Sequence, residues 1–100
     1  MTLDDFERSL EGQAPPTDAT APLTALWLER KGDWSAAHTV VQDDESVESA
    51  WVHAYLHRVE GDLGNAKYWY GRAQRTPSDQ AVADEWRSIA AALMKSDISR

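Results

Sequence analysis

Apolar residues recur along this chain three and four positions apart, the period of a helix that buries one face. Leu3, Phe6 and Leu10 make the first stripe, and Leu23, Leu26 and Trp27, followed by Arg30, make the second. Val47, Trp51, Ala54, Tyr55 and Val59 form another, and Val82, Trp86, Ile89, Ala90 and Leu93 the last. No stretch alternates apolar and polar residues for long enough to suggest a strand, and alanine, the best helix former, is abundant. The pattern predicts an all-α protein.

Punctuation between the stripes sets the boundaries. Thr2 is a predicted N-cap with Asp5 three residues on, and this first helix stops near Gly12. Ala14-Pro15-Pro16-Thr17-Asp18 cannot continue a helix and reads as a linker. Thr20 is placed to cap the next helix, with Pro22 in its first turn. Lys31-Gly32-Asp33 ends that helix and starts another, expected from about Trp34 to Gln42. The acidic turn Asp43-Asp44-Glu45 precedes Ser46, a predicted N-cap without the full capping box because Ser49 stands where Glu or Gln would reach back. The third helix of the main body ends at Glu60-Gly61-Asp62, and a fourth spans roughly Leu63 to Gln74. Thr76-Pro77 reads as an N-cap followed by proline at the first helical position, which predicts a final helix from Pro77 to Met94. The expected organisation is an N-terminal helix (1–13), a Pro-rich linker (14–21), a helical-repeat-like domain (22–96) and a tail (97–100).

The segment Leu28–Ala37 has an echo at His57–Ala66: Gly32 matches Gly61, Asp33 matches Asp62, Trp34 matches Leu63 and Ala37 matches Ala66. A glycine that turns the chain, an aspartate that caps and a small residue that lets helices approach together make a helical-hairpin device. Two such units at one offset predict stacked antiparallel helix pairs. Ala54, Gly61, Ala66, Tyr70 and Ala73 fall where the tetratricopeptide motif places small, turn, small, aromatic and small residues, so the second unit resembles that repeat. The repeat here is shorter than the ~34 residues of that motif. Asp44 stands where Ala73 stands in the second unit, and Pro77 comes one position early. The expected architecture is a tetratricopeptide-like stack of two antiparallel hairpins with terminal capping helices.

Over approximately residues 23–93 there is a closer likeness. Ala36-Ala37-His38 with Gln42, the run Trp51-Val52-His53-Ala54-Tyr55-Leu56-His57-Arg58, Glu60-Gly61-Asp62, Asn65-Ala66 and Tyr68-Trp69-Tyr70 together resemble a family of short bacterial and fungal proteins of unknown function. The resemblance implies helical hairpins and carries no activity with it.

Composition narrows the function classes. With 100 residues, 42% hydrophobic content and no cysteine, the chain has material for one core and no disulfide, thiolate metal site or thiol nucleophile. Ten Lys and Arg against seventeen Asp and Glu give a formal charge of −7, which disfavours nucleic acid and anionic membranes as partners. The acidic start lacks the order of a secretory signal, and the expected location is cytoplasmic. No Gly-rich phosphate loop, calcium loop or nucleophile elbow occurs.

One constellation carries possible chemistry. On a helical wheel His53, His57 and Glu60 share an arc of about 60°. Residues four apart sit roughly 5–6 Å apart at Cβ, close enough for two imidazoles to share a divalent ion. His38, from the neighbouring helix, offers a third nitrogen. The plainer reading is that these histidines face a partner helix and hydrogen-bond to a carboxylate or a backbone carbonyl. The aromatic surplus adds a further expectation: Tyr68, Trp69 and Tyr70 span about 200° of a helix, so at least one ring reaches the surface.

The favoured expectation is a protein or peptide interaction module without catalysis, able to form a homodimer and requiring no cofactor. Its groove would use Trp51, His53, Tyr55, His57, Arg58, Tyr68 and Trp69. The alternative is a metal-binding protein or metal-dependent hydrolase that holds a divalent ion such as zinc on His38, His53, His57 and Glu60.

Overall fold

Thr2 opens the first helix with a complete capping box: its hydroxyl accepts from the Asp5 amide at 3.1 Å and its own amide donates to Asp5 at 3.2 Å. The computed structural model describes residues 1–98, with side chains through Met94. Six helices are present, α1 (Leu3–Ser9), α2 (Ala21–Arg30), α3 (Trp34–Gln42), α4 (Val47–Val59), α5 (Leu63–Arg72) and α6 (Val82–Ile98), with no strand among the described residues. The class is all-α, as the periodicity predicts. Of the expected tail, residues 97 and 98 belong to α6 and residues 99–100 lie outside the described residues.

The two Gly-Asp corners are alike atom for atom in their hydrogen bonding. Gly32 has φ +94° and Gly61 φ +88°, a region that only glycine enters at low cost. At the first corner Asp33 N–H reaches the Leu28 carbonyl and Gly32 N–H reaches Glu29; at the second, Asp62 reaches His57 and Gly61 reaches Arg58. Each is a Schellman closure. Asp33 and Asp62 then cap α3 and α5 by accepting from the Ala36 and Asn65 amides. These corners fold α2 against α3 and α4 against α5, and α3 also packs on α4.

A third corner of the same kind ends α5 with Gln74 at φ 61° in the glycine position, Arg75 N–H closing on Tyr70. No glycine marks it in the sequence. The following helix also starts later than expected. Residues 76–80 (Thr-Pro-Ser-Asp-Gln) carry no side chain that a helix could bury, and the Gln80 carbonyl accepts from the Arg58 guanidinium instead of entering a helical ladder. The helix therefore begins at Val82, and Thr76-Pro77 does not act as its N-terminus. Thr20 likewise occupies the N-cap position of α2 without a side-chain hydrogen bond.

The main core joins all but α5. Phe6 of α1, Leu23, Leu26 and Trp27 of α2, Val41 of α3, Val52, Tyr55 and Leu56 of α4, and Trp86, Ile89 and Leu93 of α6 form one cluster. Phe6 stacks on Trp86 at 5.5 Å, and the Trp86 indole donates to the Leu26 carbonyl at 2.9 Å. The N-terminal helix is thus built into the same core across the Pro-rich linker. A smaller cluster of Ala54, Ala66 and Tyr70 joins α4 to α5, flanked by Trp51 and Trp69. Alanines at the crossing let the helices approach closely.

A buried polar network ties the loop and α6 to this frame. Glu85 is 2% exposed, accepts from Arg58 at 2.7 Å and also from the Tyr70 hydroxyl. Pairing by a guanidinium and a phenol is what makes a buried carboxylate tolerable.

Candidate metal centre

The first corner fixes where α3 starts, and so fixes its first turn. Trp34 lies at the helix start and its indole N–H donates to the Leu56 carbonyl of α4 at 2.7 Å, pinning α3 to α4. One turn later His38 stacks on the Trp34 ring, centroids 5.0 Å apart and planes 12° off parallel. His38 is thereby delivered to the face of α4 that carries His53 and His57.

The three imidazoles converge. His38 Nε2 and His53 Nε2 are 3.0 Å apart, and the His53 and His57 rings stack with centroids at 4.9 Å. One ring nitrogen from each of the three lies within 4.8 Å of the other two. Two nitrogens bound tetrahedrally at about 2.0–2.1 Å from a zinc ion stand about 3.3 Å apart. The existing contact is therefore close to what such an ion requires.

The surroundings set the state of these rings. His53 is 4% exposed, and burial, helped by His38 and then His57, pushes its pKa down to about 4. Burial is also the leading cause that lowers His38. At neutral pH both therefore present neutral rings with lone pairs, the form a metal needs. His53 Nδ1 is buried with no hydrogen-bond partner. A buried imidazole normally has both nitrogens engaged, so this one lacks a stabilising contact worth about 1–3 kcal/mol.

His57 is positioned differently. Its Nδ1 donates to Glu60 Oε2 at 2.7 Å, so Nε2 is the atom left for a metal. Glu60 thus stands behind His57 as a supporting carboxylate, not beside it as a fourth ligand. The second corner explains the placement: Glu60 is the C-cap of α4, still in helical conformation at φ −81°, so its side chain lies one turn along from His57. Asp62 sits nearby, but its two oxygens accept from the backbone amide and the side-chain amide of Asn65.

Two indoles wall the site. Trp69 of α5 stacks on His53 with centroids 3.9 Å apart, opposite in origin to Trp34 on His38. The rings hold the imidazoles in place and shield them from water on two sides. His38 is only partly buried, so the cluster opens to solvent on the α3 side.

The residues of the expected groove do not share one open surface. Tyr55 is 1% exposed, lies in the main core and donates to Glu29 at 2.8 Å. Arg58 is engaged by Glu85, and Trp51 lies under the Arg75 guanidinium at 3.6 Å. Tyr68 is 55% exposed on the outside of α5, the ring that the 200° spread sends to the surface, while Tyr70 is buried. A cleft of about 520 Å³ between the 74–80 segment and α6 is lined by Trp51, Arg75, Asp79 and Glu85 and contains none of the histidines. Asp44, in the acidic turn before α4, accepts from the Ser46 amide at 2.9 Å and the Ser49 hydroxyl at 2.8 Å, organising the start of that helix.

The helical wheel finds His53, His57 and Glu60. Trp69 stands with His53 in the expected groove, whereas Trp34, four residues before His38, is not among the residues singled out for the site. No helix among the described residues is long and apolar enough to cross a membrane. Protein-family models, characterised proteins and solved structures were all compared with the chain, and none matches it.

Proposed function

We propose that this protein binds one divalent ion of the zinc class through His38, His53 and His57, and that the ion links α3 to α4. The observation that carries the reading is the meeting of three imidazole nitrogens within 4.8 Å, drawn from two helices and already neutral in two of the three rings. Imidazole is the ordinary ligand for such ions, and the Glu60 carboxylate on His57 is the supporting partner that metal-bound histidines usually have.

The interaction reading draws less support, since its residues are split between the core, the Arg58–Glu85 pair and the outer face of α5. Zinc titration of untagged protein, followed by calorimetry and tryptophan fluorescence, tests the metal reading. One ion per chain with a fluorescence change from Trp34 and Trp69 is the expected result. Absence of binding at micromolar zinc would contradict it.

A further inference from the structure

The donor inventory around the cluster stops at three. The chain has three histidines and no cysteine, so every imidazole is already used and no thiolate exists. Among the described residues, the two carboxylates near the cluster are turned to other partners: Glu60 Oε2 to His57 Nδ1, and Asp62 to the start of α5. The two neighbouring indoles offer no lone pair, and the Trp34 N–H is bonded to Leu56. Zinc-class ions take four ligands in tetrahedral sites, and three-histidine sites keep the fourth position for water or an exogenous group. Imidazole ligands bring no charge, so the ion's double positive charge is offset only from behind His57, by the Glu60 carboxylate.

Resting on the metal reading above, we infer that the bound ion keeps one exchangeable coordination position, open on the His38 side, that takes a small anionic ligand from solvent. The ligand class follows from charge. An anion answers the positive charge that remains, and a compact donor such as hydroxide, azide or thiocyanate fills a single coordination position. Coordination there is simple ligand exchange: the anion's lone pair replaces that of a bound water, which leaves to solvent.

The full chain loaded with cobalt(II) and titrated with azide tests this. Cobalt(II) in a four-coordinate site absorbs in the visible, and its spectrum follows the ligand set. The expected result is a visible band on loading that shifts saturably with millimolar azide, both signals being lost in His38→Ala. A cobalt band that azide leaves unchanged would overturn the open position while leaving the metal reading intact. A collapse to the spectrum of free cobalt would also overturn it, because the anion would then be stripping the ion. Failure of cobalt to bind at all would remove the metal reading itself, and an azide response that survives His38→Ala would place the position away from this cluster.

Discussion

His38 and His53 meet Nε2 to Nε2 at 3.0 Å across the α3–α4 interface. Only one proton fits between two such nitrogens, so the pair is held by a single neutral hydrogen bond while its outer atoms are held by stacking on Trp34 and Trp69. An ion that replaces that proton gains two ligands already brought together across the interface.

Glu60 should act on metal affinity without touching the metal. Glu60→Gln keeps an oxygen acceptor for His57 Nδ1 but removes the negative charge that makes the ring a better donor. Zinc affinity is expected to fall about 10–100-fold, the usual effect of losing an outer partner. Competition titration with a chromogenic chelator measures it. An affinity equal to that of the unmodified chain would mean that Glu60 does not support the site.

The buried ion pair makes a prediction independent of any metal. Arg58→Met leaves Glu85 with only the Tyr70 hydroxyl, and breaking one side of a buried pair costs about 3–5 kcal/mol. Urea denaturation reads the loss. The double variant Arg58→Met/Glu85→Met should recover much of it, since the uncompensated charge is then gone. A double variant as unstable as the single one would refute that account.

Backbone conformation at the corners gives a matched set. A Cβ at Gly32 or Gly61 meets no atom within 4 Å, so the cost of Gly32→Ala or Gly61→Ala comes from the left-handed φ alone, about 1–2 kcal/mol each. Gln74→Gly, at φ 61°, should go the other way and stabilise by a few tenths to about 1 kcal/mol. Thermal melts of the three variants check the signs. Alanine without effect at either glycine would show that the corner relaxes freely.

Two buried phenols set the alkaline limit. Burial, with the neighbouring Glu29 charge, raises the Tyr55 pKa well above 10, and burial with the Glu85 hydrogen bond does the same for Tyr70. The unfolded chain loses these protons near pH 10 while the folded chain keeps them, so stability is full below pH 10 and falls as pH rises beyond it. Tyr70→Phe should make that fall shallower, measured as the change of the denaturation midpoint between pH 9 and 11. An equal slope in the variant would contradict the assignment.

How much of this was readable beforehand follows from the range of each interaction. The corners at Gly32-Asp33 and Gly61-Asp62 are local, set by one left-handed residue and one cap, and their residues name them. The corner at Gln74 uses the same hydrogen bonds with a residue that gives no sign of it. Thr76-Pro77 satisfies the local rule for a helix start, yet α6 begins at Val82, beyond the Gln80 carbonyl that accepts from Arg58, a tertiary bond that no local rule contains. At the site, the shared face of His53, His57 and Glu60 is a property of one helix. The fold-back of α5 that brings Trp69 over His53 follows from the Gly61-Asp62 corner, but the approach of His38 depends on the Trp34 bond to Leu56, a tertiary contact that no local pattern contains.

The central claim is that the three histidines form one site, and it is tested most directly by thermal unfolding with and without zinc, in the unmodified chain and in His38→Ala. Removing His38 takes the hydrogen-bond partner from the buried His53 Nε2, so the metal-free melting temperature should itself fall by roughly 5–15 °C, and the effect of zinc is read against that lower baseline. Zinc at a hundredfold excess over its Kd contributes about 2.7 kcal/mol, a rise of roughly 10–20 °C for a chain of this size. The account predicts that rise in the unmodified protein and its loss in His38→Ala. No rise in the unmodified protein, or an equal rise in both, would contradict it.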